Sequence, residues 1–282
     1  MQSDFKTARQ TIRYDISLKR IDLLSDLSIV HIITTKCDNK VIKHLAKLYM
    51  TNLSNMCSNI NVNYSRINLV NTDDDYIKQF IIDLNNDPSV NGIIFDFPFI
   101  VNNKSDIFKR YIKPSKDIGF YSEKTLIRYH DNSNVVPPYL FITNTLQNLY
   151  TDKSSFNSYT IIESSNSSSC TGLIPYQNYN HCKYTLVTNL HDYVNDYDSN
   201  VVISLMTNIS MIKEYKITRK RYSPNLVIDF GYTVTGKLGS LDRGYFTKDV
   251  PYYTWGEDLL DLYMYGLINN LINKYRKDNL YD

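Results

Sequence analysis

The chain has 282 residues, 43% of them hydrophobic and 21% charged, which is ordinary for a globular protein with one large core or two smaller ones. Its 31 basic and 29 acidic residues give a formal charge of +2, so we expect neither a nucleic-acid partner nor an anionic membrane surface. No apolar run reaches the eighteen or so residues that span a bilayer, so we expect no membrane segment.

The potential metal ligands are scattered along the sequence. The four cysteines contain no C-x-x-C pair, and the five histidines never fall at metal-ligand spacing. We therefore expect no metal site, reduced thiols and a cytoplasmic protein. The alternative location is mitochondrial, but Asp4 and Asp15 in the first fifteen residues argue against a transit peptide, because such peptides are poor in acids.

Strands and helices alternate in the first half of the chain. Apolar, β-branched runs predict strands at 27–34, 62–70 and 92–97. Apolar residues at helical spacing predict helices at 41–56 and 72–87. The second of these begins with a capping residue followed by acids in the first turn, which favour a helix N-terminus.

The second half of the chain repeats this alternation. A proline pair at 137–138 opens a helix, and the segment 257–275 has the apolar stripe of another. Short β-branched runs predict strands at 159–162, 183–187, 200–206 and 225–230. Strands alternating with helices indicate βαβ units around parallel sheets, and the length suits two of them. The fold class is therefore α/β with two domains, and 151–158 is the best hinge candidate.

Three segments carry a resemblance to a known family. They are LNNDPSVNGIIFDFPF at 84–99, PSKDIGF at 114–120 and NLVIDFGYTVTGKLG at 225–239. In this order and spacing, the chain from about Leu27 to Leu271 resembles the FolD family of bifunctional methylenetetrahydrofolate dehydrogenase/cyclohydrolases.

The resemblance implies a specific architecture and a specific chemistry. An N-terminal α/β domain of the folate-binding type would comprise 1–150 together with 257–282. A Rossmann-like domain of the NAD(P)-binding type would comprise 151–256. The final helix would pack back onto the first domain, and the substrates would lie in the cleft between the domains. The family also implies a homodimer.

The catalytic Tyr-x-x-x-Lys motif of the family is not preserved. Tyr49 is followed four residues later by Leu53. Alignment from the next strand places Thr51 or Asn52 near the lysine position. Lys47 lies one turn earlier and would substitute only if the helix register shifted; otherwise it is a solvated surface lysine. Loss of a general acid or base typically lowers the rate about a hundredfold to ten-thousandfold.

Two further family positions are altered. Asp96 stands where the family has a glutamine that supports the lysine, so a charged acceptor replaces an amide. In KDIGF the family's pterin-binding aspartate is missing, and Asp117 is either a remnant of the site or the cap of a turn.

The family's glycine-rich C-terminal loop corresponds to TWGEDLLDLY at 254–263. We expect a closed cleft to be filled by side chains such as Trp255, Tyr139 or Glu163.

The strand-to-helix turn that would bind the dinucleotide phosphates has changed most. The family's glycines and arginines are replaced by ESSNSSSCT at 163–171. Ser165, Asn166 and Ser168 are the candidate cofactor contacts, because hydroxyls and helix N-terminal amides still bind phosphate. The other interpretation is a serine-rich turn without a ligand. Glu163 about 5 Å from a phosphate charge would oppose binding by about 3 kcal/mol at an effective dielectric near 20.

Three hypotheses follow for the function. The first is a FolD-like pseudoenzyme without a cofactor, which acts as a binding or structural component in a homodimer or a larger protein assembly. The alternative is a divergent but active NAD(P)-dependent methylenetetrahydrofolate dehydrogenase/cyclohydrolase of one-carbon metabolism, which binds folate. The third, a single-activity enzyme with a different cofactor, has no further nucleotide motif to support it.

Overall fold

The fold is described from a computed structural model. The structure describes residues 27–37, 40–99, 107–129, 134–150, 158–162, 183–187, 201–205, 224–231, 241 and 246–278. The described strands are β1 (Ser28–Ile33), β2 (Asn63–Asn68), β3 (Gly92–Phe95), β4 (Ser158–Ile162), β5 (Lys183–Val187), β6 (Val201–Ser204), β7 (Leu226–Asp229) and β8 (Tyr252–Thr254). The described helices are α1 (Lys40–Asn59), α2 (Asp74–Asn86), α3 (Glu123–Tyr129), α4 (Pro138–Tyr150) and α5 (Glu257–Asp278).

The first sheet is parallel and has the strand order β2-β1-β3. Successive residues of β1 face opposite sides, as the pleat of a strand requires. Ile29 and Ile33 pack with the buried side of α1, whereas Val30 and Ile32 pack with α2. A helix therefore covers each face of the sheet, while β2 lies at an edge with largely exposed side chains.

Side chains fix both ends of α2. The carboxylate of Asp73 accepts hydrogen bonds from the backbone N–H of Asp75 (2.9 Å) and of Tyr76 (3.4 Å), so Asp73 is the N-cap. At the other end the ammonium of Lys116 donates to the carbonyl oxygens of Leu84 (2.8 Å) and of Asp87. A cation at this end also complements the helix dipole.

The second sheet is also parallel and has the strand order β5-β4-β6-β7-β8. All residues of β6 and β7 are buried, which agrees with their largely apolar, β-branched sequences, because inner strands of a parallel sheet are covered on both faces. The α/β fold class with parallel sheets is thereby confirmed. The domain boundaries at 150 and 256 stay predictions.

Helices α4 and α5 pack against each other at close range. A Cβ atom at Gly266 of α5 would lie 3.1 Å from Cα of Pro138 and 3.3 Å from Cβ of Phe141, both at the start of α4. Every residue of α5 from 259 to 268 is buried. A helix that is buried on all sides is an inner element of the core, whereas the sequence had predicted a single apolar stripe. None of the described helices is both long and apolar enough to cross a membrane.

Candidate functional site

Each sheet has a point where the strand order reverses. In the first sheet this point lies between β1 and β3, and in the second it lies between β4 and β6. Ligands of open α/β sheets bind outside the carboxyl ends of the strands at such a point. At the first sheet the candidate site is therefore formed by residues 34–35 and 96–99, which follow β1 and β3. At the second sheet the segments 163–182 and 206–223 lie outside the described residues.

Asp96 links the ends of β1 and β3. Its carboxylate accepts hydrogen bonds from the backbone N–H groups of Thr34 (2.7 Å) and Thr35 (3.0 Å), and from the hydroxyls of the same threonines (2.9 and 3.0 Å). The residue is 1% exposed and has φ of 52°, in the left-handed region where aspartate is among the tolerated residues. Both carboxylate oxygens are thus engaged in holding the backbone.

His31 holds the backbone of the same turn from the inside. Its Nε2 lies 2.7 Å from the carbonyl oxygen of Asp96, and its Nδ1 lies 2.8 Å from the hydroxyl of Tyr64. Because a carbonyl oxygen only accepts, Nε2 carries the hydrogen and Nδ1 accepts from Tyr64. Burial lowers the pKa of His31 to about 4, so the ring is neutral at physiological pH. This role could not be predicted from the sequence, because His31 has no motif around it.

Seven aromatic rings from six places in the chain fill the region above these turns. We call them the crevice cluster: Tyr49, Phe97, Phe99, Tyr139, Phe230, Trp255 and Tyr263. Neighbouring centroids lie between 5.0 Å (Tyr139 and Phe230) and 6.5 Å (Tyr49 and Phe99), mostly edge to face. Phe230 and Trp255 follow strands of the second sheet, so the cluster joins the carboxyl ends of both sheets.

Two polar atoms of the cluster are satisfied within the protein. The indole N–H of Trp255 donates to the carbonyl oxygen of Phe230 (2.7 Å), and the hydroxyl of Tyr139 donates to the carbonyl oxygen of Pro98 (2.6 Å). Trp255 is 1% exposed. The structure therefore brings Trp255 and Tyr139 together in the crevice cluster. The hydroxyl of Tyr49, with no exposed surface, has no partner among the described residues.

The structure separates Lys47 from this region. Lys47 is exposed on α1, about 200° around the helix from the buried Tyr49. Leu53, at the fourth position after Tyr49, is fully buried. Of the other two candidates, Thr51 is exposed, and the amide of Asn52 donates to the carboxylate of Asp261 (3.4 Å). No described lysine thus occupies the position that the family motif requires.

Asp117 lies in the turn that precedes α3, and its carboxylate holds that turn. Its carboxylate accepts hydrogen bonds from the backbone N–H groups of Tyr121 and Ser122 (2.9 Å each) and from the hydroxyl of Thr125 (2.7 Å). Burial raises the pKa of Asp117, whereas the nearby Lys274 and these hydrogen bonds act in the opposite direction. Of the two interpretations of Asp117, this geometry corresponds to the cap.

The remaining candidates cannot be located. Ser165, Asn166, Ser168 and Glu163 lie outside the described residues. Within the described part of the chain, no group of three or more His, Cys, Asp or Glu side chains is arranged to hold a metal ion. The phosphate-binding turn therefore stays a prediction.

Comparison with known proteins gives a likeness in fold. No family model matches the chain, and no curated protein sequence matches it. Among solved structures, the bifunctional FolD methylenetetrahydrofolate dehydrogenase/cyclohydrolase of Campylobacter jejuni has a TM-score of 0.70 at 16% identity, over 98% of each chain. The Trypanosoma brucei FolD enzyme, complexed with NADP and an inhibitor, has a TM-score of 0.70 at 16% identity, over 98% of this chain and 95% of its own.

A third structure extends the comparison to a dehydrogenase that uses NAD. The NAD-dependent 5,10-methylenetetrahydrofolate dehydrogenase of Saccharomyces cerevisiae has a TM-score of 0.64 at 17% identity, over 99% of this chain and 96% of its own. The chain thus has the two-domain α/β fold of these enzymes along nearly its whole length. The resemblance found in the sequence is confirmed for the fold, at a divergent level of identity.

Proposed function

We propose that this chain is a non-catalytic protein with the methylenetetrahydrofolate dehydrogenase/cyclohydrolase fold, which acts through its surface as a binding or structural component. The observation that carries the proposal is the crevice cluster. It occupies the reversal point of the first sheet, where an enzyme of this fold class would bind its substrate. The chain's own rings take the place of a planar ligand.

The energy of the cluster supports a filled crevice. Full burial of an aromatic side chain contributes about 1.5–3 kcal/mol, and Tyr49, Phe99, Trp255 and Tyr263 are each at most 1% exposed. A folate ring in the crevice would expose several of these side chains and break the hydrogen bond from Trp255 to Phe230. This packing supports the proposal that no folate binds at the first reversal point.

The polar groups beside the crevice also support the absence of catalysis. A general base needs a free lone pair within reach of the reacting proton. The carboxylate of Asp96 is engaged by Thr34 and Thr35. His31 has both ring nitrogens hydrogen-bonded within the protein.

The alternative function is an active NAD(P)-dependent dehydrogenase/cyclohydrolase. It is favoured by the second sheet, whose five parallel strands reverse order between β4 and β6 as a dinucleotide-binding sheet does. Its cofactor contacts would include Ser165, Asn166 and Ser168, which lie outside the described residues. The two functions therefore have to be separated by experiment.

Ligand binding and turnover separate them. Thermal unfolding of the purified chain is measured with NADP, with NAD and with 5,10-methylenetetrahydrofolate. In a separate assay, turnover is followed through the absorbance of the NAD(P)H that forms. A ligand at a hundred times its Kd stabilises a protein by about 2.7 kcal/mol. We expect no Tm shift and no turnover, with an active methylenetetrahydrofolate dehydrogenase as the positive control. Turnover, or a Tm shift with both dinucleotide and folate, would overturn the proposal.

A surface role also requires a partner. A homodimer or a larger assembly is the partner that we propose. Light scattering on the purified chain detects a homodimer. Affinity capture followed by identification of the bound proteins detects a larger assembly. A monomer that captures nothing specific would leave the surface role without support.

A further inference from the structure

One end of α5 is anchored to the first sheet's loops through an asparagine. The side-chain amide of Asn270 donates to the carbonyl oxygens of Ile118 (2.9 Å) and Val136 (2.8 Å), and its oxygen accepts from the backbone N–H of Val136 (3.0 Å). Asn270 has no exposed surface. One side chain thus ties α5 to the segment before α3 and to the segment before α4.

A buried lysine one turn later completes the anchor. The ammonium of Lys274 donates to the carbonyl oxygens of Pro114 (2.8 Å) and Asp117 (2.7 Å). It also lies 4.9 Å from the ring centroid of Phe120 and 4.4 Å from that of Tyr129, within cation–π range. Lys274 is 2% exposed. A buried ammonium is stable only with such partners, so this end of α5 has one well-defined position.

The other end of α5 fills the crevice. Trp255 stands two residues before the helix, and Tyr263 lies in its second turn. Their centroids are 6.1 Å apart, and both rings contact Tyr139. Tyr263 and Lys274 are eleven residues apart, so about 16 Å of helix separates the crevice end from the anchor. The close contact of Gly266 with Pro138 and Phe141 seats the helix against α4 between these two ends.

We infer that α5 is an intramolecular strap that holds the crevice shut, with Asn270 and Lys274 as its anchor and Trp255 and Tyr263 as its plug. The inference rests on the proposed function, since it explains how the crevice stays filled without a ligand. A rigid helix fixed at one end positions the rings at the other. Loss of the hydrogen bonds that Asn270 and Lys274 make therefore opens the crevice to solvent.

The experiment uses the fluorescence of Trp255, which is the single tryptophan of the chain. Quenching by acrylamide measures how accessible this ring is in the native protein. In the variant Lys274→Met, which keeps an unbranched side chain of similar length but loses the charge and the two hydrogen bonds of the ammonium, we expect the quenching constant to rise severalfold. The circular dichroism of the variant must stay native under the same conditions.

Lys116→Met is the matched control. Lys116 also donates its ammonium to two backbone carbonyl oxygens, but these belong to Leu84 and Asp87 at the end of α2. We expect this variant to lower Tm while the quenching constant of Trp255 stays at the wild-type value. Two outcomes overturn the strap: Lys274→Met lowers Tm without changing the quenching, or Lys116→Met raises the quenching equally.

A measurement on the wild-type chain covers the case in which Lys274→Met does not fold. Native-state hydrogen exchange follows the indole N–H of Trp255 and the backbone amides around Asn270 and Lys274. A strap predicts that the indole and these amides open in one cooperative unit, with the same protection factor. An indole that exchanges much faster than the anchor amides would contradict the strap. Neither result bears on turnover, so the proposed function is tested separately.

Discussion

At the level of single residues, hydrogen bonds of His31 and Asp96 hold the ends of β1 and β3 in place. The carbonyl oxygen of Asp96 accepts from His31, while its carboxylate holds Thr34 and Thr35. Because Asp96 has a positive φ, its turn needs these fixed partners to persist. A neutral, buried imidazole therefore contributes to stability.

The neutral state of His31 predicts a pH-dependent stability. Its pKa falls from 6.5 in the unfolded chain to about 4 in the folded one. Between these values the unfolded chain binds a proton that the folded chain does not, so stability is lost as the pH falls below 6.5. By pH 5 we expect a loss of about 2 kcal/mol from this group. Urea unfolding at pH 7.5 and pH 5 measures it.

The variant His31→Gln isolates this contribution. The glutamine amide can still donate a hydrogen bond to Asp96, but it does not titrate. The unfolding free energy of the variant relative to the wild type must therefore change with pH. The difference in unfolding free energy between the two chains should shrink as the pH falls. Parallel pH curves for wild type and variant would show that His31 is not the group responsible.

Residue by residue, the sequence located the altered positions but not their contacts. The sequence itself shows that Leu53 stands where the family motif has a lysine. The role of Asp96 could not be predicted, because it depends on backbone N–H groups whose positions are set by a turn, whereas the cap of a turn was one of the two interpretations of Asp117. The partners of Asp96 are separated from it by 61 and 62 residues. His31 was missed for the same reason.

At the level of elements, the contact between α4 and α5 depends on Gly266. A larger side chain there would meet the backbone of Pro138 and the side chain of Phe141. We expect Gly266→Leu to destabilise the fold by about 1–3 kcal/mol, although leucine favours helices, because overpacking a core costs that much. Thermal or urea unfolding measures the change. Asn55→Leu, on the exposed side of α1, is the control and should change stability little.

Periodicity predicted most of the elements. The strands β1 to β7 and the helices α1, α2, α4 and α5 lie within a few residues of the predicted segments. The capping residue of α2 is Asp73 rather than the first residue of the predicted segment. Two of the described elements were not predicted. β8 has three residues, too few for a pattern, and α3 begins where the carboxylate of Asp117 fixes its first turn.

At the level of the whole molecule, α5 belongs to the cores of both sheets. Its apolar residues pack in one cluster with Ile29 of the first sheet and with Ile203 and Ile228 of the second. The crevice cluster adds contacts between the carboxyl ends of both sheets. The two-sheet fold followed from the alternation of strands and helices and from the family resemblance. The aromatic closure did not, because it requires rings from six places in the chain to meet.

A shared core predicts cooperative unfolding. We expect urea unfolding to give one transition, with the same midpoint for Trp255 fluorescence, which reports the crevice, and for far-ultraviolet circular dichroism, which reports all helices and strands. The control is a second fit of the dichroism data to two transitions. A fluorescence change that is complete while much of the helical signal remains would contradict the prediction.

The place of α5 after all the other described elements also matters while the protein is being made. The ribosome adds about 5–20 residues per second, so it needs roughly 6–26 s to extend the chain from residue 150 to residue 278. During that interval the nascent first sheet lacks the helix that covers Tyr49 and the carboxyl ends of its strands. Its apolar surface stays open to chaperones, and to other nascent chains, until α5 has been synthesised.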